Sequence, residues 1–250
     1  MNKVVIANWK MNPVALKEAE GILNNTIKIA NKSKKVDVII CPPFTFLYLG
    51  QKLKYKNIFL GSQSVFPEIS GSYTGEVSVK MLKSMNVKYV IVGHSERRAL
   101  GESDEYINKQ LQTILKEKIV PIFCIGEKYR DKEGKYLAVI KEQIEKGLMN
   151  ISKLQIKNIT MAYEPVWAIG EKAVREATVN EFIEMKIFIK KIISDIYGAK
   201  IAHSMKILYG GSVHPDNARS FTLDGGADGL LVGRDSLTSK KFGEIINSIK

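Results

Sequence analysis

The sequence predicts an α/β fold, a single-domain (β/α)8 barrel spanning 1–250, on three observations. Eight short apolar or β-branched runs recur along the whole length, segments with helical spacing lie between them, and no linker, low-complexity stretch or charge block divides the chain. Runs this apolar fit strands buried on both faces, and their alternation with helices argues for a parallel sheet. Eight such units in 250 residues fit closure into a barrel; an open doubly wound sheet is the alternative.

In chain order the runs are Val4 to Ala7, Val36 to Cys41, Ile58 to Leu60, Val87 to Val92, Ile119 to Ile125, Ile159 to Ala162, Met205 to Leu208 and Gly229 to Val232. The helical patterns include Val14 to Ile29, Glu105 to Lys118, Tyr136 to Met149 and Val179 to Tyr197. After the fourth run, Ser95-Glu96 reads as a helix start and Gly101 as its stop.

Composition narrows the class. With 45% hydrophobic residues the chain can bury a sizeable core. It has no apolar run of membrane-spanning length, and its first residues, MNKVVIANWK, lack a signal-peptide pattern, so a cytoplasmic protein without membrane association is expected. Cys41 and Cys124 show no CxxC or Cys/His clustering, which predicts reduced thiols and no metal site. The net charge of +12 suits an anionic partner. The lysines are scattered, however, and the densest group, Lys32, Lys34 and Lys35, carries no interleaved aromatics, so no nucleic-acid partner is expected. A positive field also speeds encounter with small phosphorylated metabolites.

In a barrel, chemistry belongs where strands end and βα loops begin. The strand ends carry Asn8-Trp9-Lys10-Met11-Asn12, Gln63 with a long polar loop, Gly93-His94-Ser95-Glu96-Arg97-Arg98, Cys124-Ile125-Gly126-Glu127, Glu164-Pro165-Val166-Trp167, Tyr209-Gly210-Gly211-Ser212 and Val232-Gly233-Arg234-Asp235. Glu164 ends an apolar run and faces Trp and Ile in the Gly-terminated stretch behind it. Desolvation there disfavours a charged carboxylate and makes it a better proton acceptor, unless it is only a capping Glu before an ordinary loop. The Gly-Gly-Ser and Gly233 turns offer free N–H groups after strands seven and eight, the usual place for phosphate in such barrels. Lys10 is a surface lysine or an electrostatic anchor for phosphate and a developing oxyanion. His94, just before a helix start, is a structural residue or a neutral hydrogen-bond donor whose other nitrogen is held by the backbone. His203 and His214 receive no role, and Cys124 reads as packing.

A carboxylate, a neutral imidazole, an ammonium and a phosphate cradle suit removal of a proton beside a carbonyl, stabilisation of an enediolate, and return of the proton to the adjacent carbon. That is an aldose–ketose isomerisation, and it requires no cofactor. A triose phosphate enediol would lose phosphate if water entered, which calls for a closing lid.

These motifs, together with Tyr73-Thr74-Gly75-Glu76-Val77 and Leu231-Val232-Gly233, closely resemble the triosephosphate isomerases, in the family's order and over nearly the whole chain. The resemblance implies a TIM barrel that interconverts glycerone phosphate and D-glyceraldehyde 3-phosphate. It implies Glu164 as catalytic base, His94 as electrophile, Lys10 as electrostatic partner, Asn8 as a donor to substrate oxygen, and Glu96 as an accompanying carboxylate. Gly170, Ser212 and Gly233 match backbone donors to phosphate. Pro165, Val166, Trp167, Ala168, Ile169 and Gly170 match the lid, with Ile169 and Leu231 as the apolar pair over the base. The loop from Gln63 to Glu76 matches that of a homodimer, with Thr74 reaching the partner's site.

Two departures stand out. The family usually continues after Gly170 with a Thr-Gly-Lys type sequence, where this chain has Glu171-Lys172-Ala173-Val174-Arg175. After Gly233, where a second Gly is common, stands Arg234, and weaker support for that backbone donor is expected. The rival readings are a barrel acting on a larger sugar phosphate or an indole precursor, and a non-catalytic barrel that binds phosphate or nucleic acid.

Overall fold

A computed structural model describes residues 2–51, 53–170 and 173–249. In chain order the elements are β1 (Lys3–Asn8), α1 (Leu16–Asn31), β2 (Val36–Cys41), α2 (Leu47–Gly50), β3 (Ile58–Ser62), α3 (Val79–Ser84), β4 (Tyr89–Val92), α4 (Ser95–Ala99), α5 (Asp104–Lys116) and β5 (Val120–Ile125). There follow α6 (Tyr136–Gly147), β6 (Thr160–Tyr163), α7 (Val179–Tyr197), α8 (Ala199–Ser204), β7 (Ile207–Tyr209), α9 (Pro215–Leu223), β8 (Gly229–Val232) and α10 (Ser239–Ser248). The eight strands pair in sequence order and β8 closes on β1, in parallel throughout. The open doubly wound alternative is thereby excluded.

The period of two along each strand sorts its side chains into two cores. In β1, Val4 and Ile6 point into the barrel and join Ile39, Cys41, Ile91, Ile122, Cys124, Ala162, Leu208 and Leu231. Val5 and Ala7 point outward into the larger layer under the helices, which includes Leu23, Leu111, Ile140 and Phe182. Both cysteines are fully buried in the barrel interior, and burial pushes both thiols up. Cys124 is therefore a packing residue rather than a nucleophile.

Element boundaries differ from the sequence expectation by a residue or two. Val14 is almost wholly exposed, and α1 starts at Leu16 after an extended Ala15. Val87, Ile119 and Met205 are buried but precede the first paired residues of β4, β5 and β7. Apolar character reports burial, and it does not report the start of the ladder. Among the described residues no helix is long and apolar enough to cross a membrane.

Candidate active site

The carboxyl ends of the strands converge on a cavity of about 480 Å³. Its lining includes Asn8, Lys10, His94, Glu96, Glu164, Ile169, Gly170, Ser212, Leu231 and Gly233, so every catalytic, substrate-binding and clamp residue expected from sequence meets there.

Glu164 is 2% exposed although it carries a carboxylate. It follows β6 directly, and its own N–H donates to the Ile125 carbonyl at 2.8 Å, extending the β5–β6 ladder by one step. A Cβ built on Gly126 would sit 1.7 Å from the Glu164 carbonyl oxygen, and one on Gly210 would sit 3.0 Å from Glu164 Cγ. At the first position only glycine lets the end of β5 close against this residue, and at the second a Cβ would press on its side chain. Both carboxylate oxygens are engaged: Oε2 accepts from the Ser95 N–H at 2.9 Å, and Oε1 lies 3.2 Å from His94 Nε2.

His94 is the N-cap of α4, and its Nδ1 accepts from the Glu96 N–H at 3.2 Å. That bond assigns the ring proton to Nε2, the nitrogen that faces Glu164 and the cavity. The imidazole is thus a donor there, with its other nitrogen held by the backbone. Arg98 ties down the loop behind it, donating from Nε to the Gly93 carbonyl at 2.8 Å and pairing with Asp104 at 2.6 Å.

Lys10 has φ of 54°, a left-handed conformation uncommon outside glycine. Its N–H donates to Asn8 Oδ1 at 3.1 Å, and Gln63 Nε2 donates to its carbonyl at 2.8 Å and to that of Cys41 at 2.9 Å. These bonds fix the unusual backbone. The ammonium pairs with Glu96 Oε1 at 2.6 Å. Gly233 leaves room for the lysine stem: an added Cβ would lie 3.1 Å from Lys10 Cε.

The stretch behind Glu164 is a short turn. Pro165 leads into a 3-10 helix, Val166–Ala168, with Trp167 and Ala168 buried; Gly170, at φ 77°, is exposed and ends the described part of the turn. Ser212 Oγ donates to the Ala168 carbonyl at 2.7 Å, joining this stretch to the loop after β7. The neighbouring Tyr209, buried at the end of β7, stacks on Phe221. Of the divergent segment, Glu171 and Lys172 lie outside the described residues. In the remainder, the Val174 N–H donates to the Trp167 carbonyl at 2.9 Å.

Sequence reasoning missed three participants. Ser95 contributes its backbone N–H rather than its hydroxyl; the helix start was visible, but its donor to Glu164 was not. Glu127, 1% exposed, accepts from Tyr163 Oη and Trp167 Nε1, each at 2.8 Å, and burial pushes its carboxyl up against those two bonds. His214 lines the cavity and pairs with Glu176 at 3.2 Å, a contact no local motif announces. Thr74 does not line the cavity; it lies in the exposed stretch 68–76.

Comparison with known proteins agrees with this geometry. The family model described as Triosephosphate isomerase matches residues 3–249. The chain is 41% identical to the triosephosphate isomerase of Dictyoglomus turgidum over 249 residues, covering 98% of this chain and 99% of that protein. It is 41% identical to the one from Aquifex aeolicus, over 99% of this chain and 100% of that protein, and 42% identical to the one from Fusobacterium nucleatum, over 99% of each. With a closed eight-stranded barrel, a buried carboxylate at the end of β6 and relatives this similar over their full length, the chain belongs to the triosephosphate isomerase family.

Proposed function

We propose that the reaction of this family, interconversion of glycerone phosphate and D-glyceraldehyde 3-phosphate, is carried here by Glu164 as the base. The observation that carries the proposal is convergence: a buried carboxylate, an imidazole Nε2–H and an ammonium meet in one cavity beside the glycine turns after β7 and β8. With substrate bound, Glu164 takes a proton from the carbon beside the carbonyl. The carbonyl oxygen gains negative charge, which the Nε2–H of His94, the ammonium of Lys10 and the amide of Asn8 stabilise as hydrogen-bond donors. Protonated Glu164 returns the proton to the neighbouring carbon while the hydroxyl proton passes from the first carbon's oxygen to the former carbonyl oxygen, so the first carbon becomes the new carbonyl and the ketose an aldose. The proton count balances without a cofactor.

The phosphate is held by backbone N–H groups at Gly170, Ser212 and Gly233, with the positive charge of Lys10 nearby. Residues 165–170 close over the bound enediolate, and Ile169 and Leu231 exclude water from the base, which also guards against loss of phosphate. The whole of 1–250 acts as one barrel domain in the cytoplasm. Two copies pair through the loop from Gln63 to Glu76, Thr74 reaching the partner's Asn8 and His94 region. Apolar side chains left exposed on and near that side, Met11 at 90%, Tyr73 at 46% and Met81 at 56%, support a dimer. The test is turnover of glyceraldehyde 3-phosphate by the wild type and by Glu164→Gln. A loss on the order of 10²–10⁴ in kcat, with folding intact, is expected of a general base; full activity in the variant overturns the assignment.

A further inference from the structure

Trp167 is held from three sides. Its indole N–H donates to Glu127 Oε1 at 2.8 Å, its carbonyl accepts from the Val174 N–H at 2.9 Å, and the Arg175 guanidinium lies 4.6 Å from its ring centroid. Arg175 is itself braced. Its Nη1 and Nη2 donate to Glu181 Oε2 and Oε1 at 3.0 and 2.5 Å, and Nη1 also donates to the Glu176 carbonyl at 2.9 Å. Glu181 is fixed in turn by the capping box at the start of α7, where its carboxylate accepts from the Thr178 N–H at 2.8 Å and hydroxyl at 3.0 Å.

A lone exposed ion pair would contribute little. This one is bidentate, its carboxylate is locked to a helix start, and its guanidinium plane is spent on an aromatic face, an arrangement that a flexible ammonium does not reproduce. The result is a continuous connection from the rigid end of α7 through Glu181 and Arg175 to Trp167. Trp167 lies three residues from Glu164, so whatever holds it also restrains the base. Arg175 falls in the stretch where this chain departs from the Thr-Gly-Lys pattern.

We infer that Arg175 is a lid-positioning residue: stacked on Trp167 and braced by Glu181, it holds 165–170 where it stands and opposes its movement onto a bound phosphate. The inference rests on the reading of 165–170 as a lid. Arg175 does not line the cavity. A ligand that draws the lid inward must give up the stacking, so part of its binding free energy goes into displacing Trp167.

The test uses the full chain, with glycerol 3-phosphate as a non-isomerising probe. In Arg175→Ala, Kd for the probe and KM for glyceraldehyde 3-phosphate fall together by about two- to fivefold, the range of an exposed cation–π contact, while kcat does not rise. Arg175→Lys keeps the charge but not the planar stack, and follows Arg175→Ala in Kd and in Trp167 emission. A lower Tm with Kd and KM unchanged would reduce Arg175 to a structural brace, and a weaker Kd would mean that it supports the ligand-bound lid; either overturns the inference. Trp167→Phe and Ile169→Ala separate the two levels. If they too leave Kd, KM and kcat unchanged, the lid reading fails; if they alter them and Arg175→Ala does not, only the role of Arg175 fails.

Discussion

The backbone N–H of Ser95 donates to Oε2 of Glu164 over 2.9 Å, so the first helical residue after β4 holds the carboxylate at the end of β6. The first N–H groups of a helix have no partner within it, and this one is spent on the Glu164 carboxylate. Ser95→Pro deletes that donor at a position where proline is tolerated: it is the first residue of α4, and the preceding His94, at φ −53° and ψ 142°, already has the extended backbone that proline demands. The expected outcome is a near-native Tm with kcat/KM lowered by roughly tenfold or more, the worth of a hydrogen bond to a charged group. Unchanged kinetics would show that this contact does not position Glu164.

Two glycine-to-alanine changes should move stability in opposite directions. Gly126→Ala drives a methyl to within 1.7 Å of the Glu164 carbonyl oxygen, where only backbone can give way. A loss of at least about 1–3 kcal/mol is expected and, if Glu164 is the base as proposed, a reduced kcat in the folded protein, because its side chain moves with the backbone that is displaced. Gly21, exposed in α1, has nothing within 4 Å of an added Cβ, and Gly21→Ala should stabilise by about 0.5–1 kcal/mol. Thermal melts of both variants check the pair.

The strands were legible because barrel strands are buried on both faces and therefore write continuous apolar runs. Lys10, His94, Glu164, Ser212 and Gly233 were legible because they follow the ends of such runs, whereas the parts of Asn8, Glu96, Ile169, Gly170 and Leu231 were legible only through the family resemblance. What the sequence does not carry is the through-space pairing that sets their use. Gly126 reads as an ordinary turn glycine until β6 is laid beside β5, when its missing Cβ becomes the space for Glu164. His214 had no role in sequence because its partner, Glu176, lies 38 residues upstream on the far side of the turn behind the base. Arg175 read only as a departure from a familiar pattern. Its stacking on Trp167 and its pairing with Glu181 depend on where α7 begins.

Lys10→Met tests the anchor. The ammonium, paired with Glu96 at 2.6 Å, is the positive charge that a bound phosphate or oxyanion would meet beside Asn8 and Gly233. Calorimetric titration with glycerol 3-phosphate should give a Kd at least about tenfold weaker than wild type, since a charge-assisted hydrogen bond contributes roughly twice a neutral one. Equal affinity would remove Lys10 from the phosphate site.

Two carboxylates bonded to Trp167 and Arg175, Glu127 and Glu181, should give opposite pH dependences. Glu181 is held down to about 2 from an ordinary 4.5, chiefly by its hydrogen bonds from Arg175. A folded-state value below the unfolded one stabilises above pH about 4.5, and that contribution is lost as pH falls towards 2. The Tm advantage of wild type over Glu181→Gln should therefore be full at neutral pH and close progressively through that window. Glu127 is shifted the other way by burial. Ionising it costs the folded state, so its contribution to stability falls as pH rises from 4.5 through its raised folded value and is level above that. Glu127→Gln should flatten this fall while still accepting from Tyr163 and Trp167 through its amide oxygen. A Glu181→Gln difference independent of pH would mean that the Arg175 pair does not hold the carboxylate ionised, and the brace on Trp167 would then lack its electrostatic support.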